Sequence, residues 1–475
     1  MAWLGSAPLP LEAVQRAVVA GVLAAVLGLA FAARQWWRPS PEDRFKRGTR
    51  IGADTQIRRA CRRQRLSLPF GRRSALTLAG MPIAAVDETK HFKLIGTTGT
   101  GKSTAIAELL GGALARGDRA VIADPDGGYR ARFYDRYRGD IVLNPFESAS
   151  ARWDPFAELR EDFDVEQLVG SLIPGCEDAS GREWRGYART FMSAITRRCR
   201  ERGRCGAAEL WRLLAIAPSR ELKPLLAGTP AQPFLEPDNA RMLGSIRSVA
   251  ASAAAALDFI RGQRGAPFAV RDWVQSGRGV LFIPYQASQI AALRSAIAAW
   301  VRLAIFEAMS QPEGDLRLWF VMDELDALGA VDGLKDALAR LRKFGGRCVL
   351  GFQSLAQVAG TYGAGEAQTI TENCANTLIL RCSGSDQGGT AHFASRLIGE
   401  REIVRRHTAR GRDREGLWAA RGARRSTNVS AQHVTEMAVM PSEIEQLPDL
   451  RGYLKTATAR AWLPVVVSRP SWQAL

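Results

Sequence analysis

The residues from His91 to Thr104 contain the pattern G-x-x-x-x-G-K-[ST] in full, from Gly96 to Ser103. Phe92, Leu94 and Ile95 read as a short strand, and residues 105–114 as a helix, with a glycine-rich turn between them. That is the setting in which the motif grips a nucleotide triphosphate. Without side chains at Gly96, Gly99 and Gly101, backbone N–H groups can close on phosphate oxygens. Thr97, Thr98, Thr100 and Thr104 complete the expected phosphate-binding segment. Lys102 would reach the β- and γ-phosphates, and the Ser103 hydroxyl would bind Mg²⁺, so ATP and Mg²⁺ are the expected ligands.

Hydrolysis needs more than a cradle. The apolar run ahead of Asp323-Glu324 reads as a buried strand that delivers Asp323 to the metal shell. Glu324 is then placed to take a proton from an attacking water, or to orient that water. Cys348 to Gln353 reads as another buried strand, with Gln353 aimed at the γ-phosphate or the water; the alternative is a strand-terminal Gln that caps the next helix. Leu378 to Arg381 ends a further strand in an arginine, which either serves a neighbouring subunit's site as an arginine finger or forms a surface ion pair.

The elements that must position these groups alternate between strands and helices, which implies an α/β fold with an open, mainly parallel sheet. Residues 76–85 read as a hairpin around Gly80, and strands are expected at 119–124, 141–145 and 279–284. The run Asp124-Pro-Asp-Gly-Gly128 is strong turn chemistry. A long amphipathic helix is expected over 288–309, and closing strands at 453–458 and 462–467. From Pro155 to Arg264 the texture is helical, at 163–173, 184–200, 207–217 and 239–260, broken by prolines. The expected division is therefore 76–152 and 266–475 for the nucleotide-binding domain, with 153–265 as an inserted all-α domain. Arginine and glycine between 396 and 425 read as a mobile basic loop of net charge +6.

The N-terminal region reads differently. Residues 17–33 are an uncharged run between Arg16 and Arg34, followed by Trp36 and Trp37. As a helix it spans about 26 Å, near the lower limit for a membrane crossing. A cleaved signal peptide and a buried core helix are the alternatives to a single uncleaved anchor, which is preferred, giving an anchor over 1–37. Between Arg34 and Arg73 there are 13 Lys/Arg against three Asp/Glu. This basic segment, 38–75, orients the bulk of the chain to the cytoplasmic side of the membrane and attracts anionic headgroups.

The chain has 475 residues, a net charge of +17 and a pI near 10.1. This points to nucleic acid, anionic lipid or both as partners. Seven scattered cysteines without a CxxC argue against a disulfide frame or a zinc site.

Taken together, the sequence resembles the TraD/TrwB-type coupling proteins of conjugative type IV secretion systems. The resemblance is carried by residues 96–103, 123–128, 141–146, 321–329, 342–358 with Tyr362-Gly363, and 447–450, and covers about residues 76–465. It implies a RecA-like ATPase anchored in the inner membrane and acting as a homo-hexamer. It further implies recruitment of a relaxase–DNA complex, with the DNA single- or double-stranded, and its delivery to the secretion channel. Family members usually carry two N-terminal membrane helices, where this chain has room for one. A shortened variant and an incomplete start both fit, and no long relaxosome-binding tail is expected after the last strand. Two other functions remain open: a HerA/FtsK-like DNA translocase not coupled to secretion, and a docking receptor switched by nucleotide.

Overall fold

The computed structural model describes residues 44–52, 76–175, 179–203, 206–385, 388–413 and 424–468. The described residues divide into two compact units, one holding 44–48 and the described part of 400–436, the other the described residues of 49–399 and 437–468.

The larger unit opens with a hairpin, β2 (Thr77–Leu78) and β3 (Met81–Pro82), following β1 (Arg44–Gly48) of the smaller unit. Its strands continue with β4 (Phe92–Ile95), β5 (Arg119–Pro125), β6 (Ile141–Val142), β7 (Arg152–Trp153), β8 (Pro267–Phe268), β9 (Val280–Tyr285), β10 (Leu318–Met322), β11 (Gly346–Phe352) and β12 (Asn376–Ile379). After β13 (Glu400–Asp413) and β14 (Arg424–Met437) of the smaller unit, β15 (Arg451–Lys455) and β16 (Leu463–Val466) return to the larger.

Nine strands form one sheet in the order β16-β15-β12-β4-β11-β10-β5-β9-β6. From β12 to β6 neighbours run parallel, and β15 and β16 add antiparallel pairs at one edge. Side chains of the central strands alternate between two apolar layers. On β10, Leu318, Phe320 and Met322 enter one layer, Trp319 and Val321 the other. One layer packs against helix Lys102–Ala115, the other against helix Ile290–Met309.

Between β7 and β8 the described residues are helical, with the principal helices at Asp164–Leu172, Ala179–Glu201, Ser219–Leu226 and Ala240–Ala253. Parallel pairing of Trp153 with Phe268 brings the two ends of this stretch together. The buried Glu158 carboxylate reinforces that base, accepting from Trp153 Nε1 at 2.7 Å and Val270 N at 2.7 Å. The helices share their apolar layer with the sheet, so Phe191 and Ile246 belong to the same cluster as Val121 and Leu350.

Several expectations need correction. The helix expected over 239–260 breaks after Ala253 and resumes at Ala256–Ile260. The strand expected through Arg381 stops at Ile379. The basic stretch 396–425 is not a loop where it is described: it ends helix Gly389–Ile398 and supplies β13 and the start of β14. Glycines and arginines suggested a loop, but Glu402-Ile-Val404 belongs to a strand that pairs antiparallel with β1. In that three-stranded sheet, Glu402 bonds Lys46 at 2.8 Å, and the two lysine and arginine donors from β1 hold its carboxyl down to about 2. The expected anchor, 1–37 with its run 17–33, and residues 38–43 and 53–75 of the basic segment lie outside the described residues. Among the described residues, no helix is long and apolar enough to cross a membrane.

Candidate nucleotide site

The carboxyl ends of β4, β11, β10 and β5 lie side by side. The loop leaving β4 turns into helix Lys102–Ala115 through Gly101, whose φ is 111°. A side chain there would be strained, and its Cβ would lie 2.6 Å from Leu450 Cδ2. Three further bonds hold the loop. Thr97 N donates to Arg381 O at 2.9 Å, Thr100 Oγ1 donates to Thr97 O at 2.7 Å, and Leu450 N donates to Thr100 O at 2.9 Å. Thr98 and Gly99 are exposed at the tip, Thr104 half-buried on the helix.

Lys102 is buried and folds back over the loop, its Nζ donating to Gly96 O at 2.6 Å and Thr97 O at 3.2 Å. Burial lowers its pKa, while the carboxylates of Asp323 and Glu324 oppose that shift. Ser103 Oγ donates to Asp323 Oδ2 at 2.5 Å. The same oxygen accepts from the Tyr129 hydroxyl at 2.8 Å. Asp323 Oδ1 is buried with no hydrogen-bond partner. A buried carboxylate oxygen of this kind needs a cation or a water, and with the Ser103 hydroxyl alongside, the donor set suits a hard, oxygen-liganded Mg²⁺.

Glu324 follows at the strand's end, where Gln353 Nε2 donates to its Oε1 at 3.3 Å. Burial raises the Glu324 pKa, the neighbouring Asp323 adds to the rise, and the Gln353 bond opposes it. The two strands touch closely here: a Cβ on Gly351 of β11 would lie 2.2 Å from Asp323 O. Ser354 caps the helix Leu355–Tyr362 that follows, which leaves the Gln353 amide to Glu324. Arg381 lies just beyond β12 on the same edge. Its carbonyl anchors Thr97, and its guanidinium pairs with Asp449 at 2.7 Å. Lys102, Ser103, Asp323, Glu324 and Gln353 therefore come together, whereas the Arg381 side chain is engaged beside them rather than among them.

A family profile described as the type IV secretion-system coupling protein DNA-binding domain matches residues 75–467. The chain belongs to this family. It is similar to the coupling protein TraD of Escherichia coli (strain K12), 31% identical over 397 residues, which are 81% of this chain and 53% of TraD. It is also 29% identical over 184 residues to the type IV secretion system-coupling protein VirD4 of Bartonella henselae, covering 38% of this chain and 27% of VirD4. The chain thus spans about half the length of the TraD relative it matches. Among solved structures, the conjugative coupling protein TrwBΔN70 superposes with a TM-score of 0.79 at 31% identity, covering 92% of this chain and 96% of that one. TrwB in complex with ADP and Mg²⁺ gives 0.78 at 32% identity, with 92% and 96% covered. The coupling-protein fold is thus α/β and RecA-like in this chain.

Three polar groups at this edge escape motif reading. Asp124 ends β5 and accepts from Tyr129 N at 2.9 Å and Arg130 N at 2.7 Å, fixing the turn that aims Tyr129. Its carboxyl is pushed up to about 6, chiefly by burial. Tyr285, at the end of β9, has a buried hydroxyl with no hydrogen-bond partner. Turn chemistry at 124–128 marked the bend but gave no sign that the next residue reaches Asp323.

Proposed function

We propose that this protein is a coupling ATPase that hydrolyses ATP to recruit a relaxase–DNA complex and drive its DNA into a type IV secretion channel during conjugation. The observation that carries the reading is the junction of the two nucleotide signatures. Ser103 Oγ and Asp323 Oδ2 meet at 2.5 Å, Asp323 Oδ1 is free, and Glu324 stands next in chain. Relatives solved with ADP and Mg²⁺, and with an ATP analogue, support ATP and Mg²⁺ as the ligands.

The geometry supports the following roles. The loop from Gly96 to Thr104 binds the phosphates through its N–H groups, and Lys102 exchanges the Gly96 and Thr97 carbonyls for phosphate oxygens. Ser103 and Asp323 would hold Mg²⁺, which when bound neutralises charge on the β- and γ-phosphates. Glu324 accepts a proton from the attacking water, and its raised pKa makes it a stronger base. Gln353 keeps the Glu324 carboxylate oriented. Arg381, freed from Asp449, acts in a neighbouring subunit's site within a homo-hexameric ring.

The remaining assignments rest on the sequence and on the family. Residues 17–33 serve as an anchor in the bacterial inner membrane, 38–75 as the basic juxtamembrane segment, and 153–265 as an inserted all-α domain. DNA, the relaxase and the channel components are the partners. Transfer itself tests the coupling role. In donor cells lacking this chain, the wild type should restore DNA transfer and Lys102→Ala should not. Transfer that proceeds equally without the chain would favour a HerA/FtsK-like translocase instead.

A further inference from the structure

A second crevice opens at the carboxyl edge of the sheet, away from the loop that follows β4. The chain leaving β5 passes across β9 to β6, whereas the chain leaving β9 passes back across β5 to β10. The two connections depart to opposite faces: Tyr129 and Phe133 join one apolar layer, Leu293 and Ile297 the other. Such a reversal of winding leaves a gap between strand ends, the usual place for a ligand in an open α/β sheet. Here the gap is a cavity of about 490 Å³. Asp126, Gln286 and Gln289 line it with hydrogen-bonding groups, and Tyr134 lines it with an aromatic ring.

The rim has a distinct composition. Residues 128–139 read Gly-Tyr-Arg-Ala-Arg-Phe-Tyr-Asp-Arg-Tyr-Arg-Gly, four arginines interleaved with three tyrosines and one aspartate. Tyr129 is spent on Asp323, but Tyr134 is 44% exposed and Tyr137 is 99% exposed. Arg132 and Arg136 are exposed beside them. Arg130 lies over the Tyr134 ring, 5.9 Å from its centre, and pairs with Glu147. Phe146, also 42% exposed, meets Phe259 in a tilted ring contact with centres 4.9 Å apart. Tyr134 also meets the buried Phe282, ring centres 6.2 Å apart, but burial in the core does not account for its exposed remainder or for the fully exposed Tyr137.

Aromatic faces flanked by arginines form the surface on which unpaired bases stack while their phosphates follow the positive charge. A duplex hides its base faces and cannot use such a platform. We propose that the run 129–138 and the adjoining crevice bind single-stranded DNA, with one unstacked base entering between the ends of β5 and β9. Tyr134 stacks on that base, Asp126 and Gln286 bond its edge, and Arg132 and Arg136 meet the phosphates on either side. This assignment rests on DNA being the cargo and adds which form is held and where. It also sets the strand beside Tyr129, whose hydroxyl touches the metal carboxylate.

The test is fluorescence anisotropy on the full chain, with a labelled single-stranded oligonucleotide of mixed sequence and with its duplex. Tyr134→Ala and Tyr137→Ala should each weaken single-strand binding about 5-fold or more, the range for losing one stacked base. Tyr134→Phe, which keeps the ring face, should bind as the wild type does, and duplex binding should be unchanged in all three. Arg136→Ala should weaken binding with a shallower salt dependence. Tyr137 is free of the core, so its variant reports on binding even where Tyr134→Ala disturbs the fold. Wild-type affinity in Tyr137→Ala and Tyr134→Ala together would overturn the assignment. So would equal losses for duplex and single strand, or loss of a protein partner with DNA affinity intact. A wild-type chain that binds no DNA would instead sink the coupling function itself.

Discussion

Asp323 is aimed by groups on the connections that leave two different strands, β4 and β5. Ser103 and Tyr129 both donate to Oδ2, which turns Oδ1 out of that network. Tyr129→Phe keeps the buried ring and removes one donor. It should raise the Mg²⁺ concentration needed for half-maximal nucleotide binding by about 10-fold, as loss of a partner behind a metal ligand does. A fluorescent ADP titrated against Mg²⁺ reads this directly, and an unchanged Mg²⁺ midpoint would remove Tyr129 from the metal's support. The cradle and the base can be separated in the same way. Lys102→Ala should lose nucleotide affinity, whereas Glu324→Gln should keep it and stop turnover, because an amide takes no proton. Equal loss of affinity in both would contradict these roles. Turnover also carries a pH signature. Burial and Asp323 raise the Glu324 pKa above the usual 4.5, and only its ionised form is a base. As pH falls, kcat should therefore drop at a higher pH than an ordinary glutamate would give. Nucleotide affinity measured over the same pH range separates this loss from weakened binding.

At the level of elements, the order of strands decides which residues can meet. β11 lies between β4 and β10, so Gln353 ends beside both the loop and Glu324. The loop motif and the apolar run before Asp323-Glu324 are legible in sequence because each needs specific residue types at fixed spacing. The contact of Tyr129 with Asp323 is not, since it depends on β5 pairing with β10 and on a turn set by Asp124. Residues 400–406 mislead for a related reason: their strand lies between β14 and β1, and β1 is more than 350 residues earlier in the chain, a partner that local composition cannot show. His91 ties three elements at the other end of the sheet. Its Nδ1 accepts from Cys348 N at 3.1 Å and its Nε2 donates to Leu338 O at 2.8 Å, so the ring is neutral. Burial pushes its pKa down to about 4 from 6.5. Below pH 6.5 the unfolded chain takes up a proton that the folded chain refuses until about pH 4, so stability falls with pH across that window. His91→Gln should remove this dependence. Urea midpoints of the two proteins should diverge in slope between those pH values, and parallel slopes would show that His91 titrates normally.

For the whole molecule, the open side of the nucleotide site is the feature with most consequence. Arg381 sits at the rim, paired with Asp449 while the chain is alone. If a ring neighbour uses it, Arg381→Ala should lower kcat about 10³-fold with ATP affinity retained. Mixing Arg381→Ala with Lys102→Ala subunits should restore part of the activity, because a head-to-tail interface can pair an intact loop with an intact arginine. Co-assembled mixtures that stay inactive would exclude Arg381 from that role. The net charge of +17 suits a ring that holds DNA, and its affinity should fall steeply with salt. The central claim, that nucleotide hydrolysis here serves DNA movement, is tested most directly by ATP hydrolysis of the purified chain with and without DNA, in parallel with Lys102→Ala and Glu324→Gln. The expected result is hydrolysis that DNA stimulates and that both substitutions abolish. Hydrolysis indifferent to DNA, or surviving in Glu324→Gln, would contradict it.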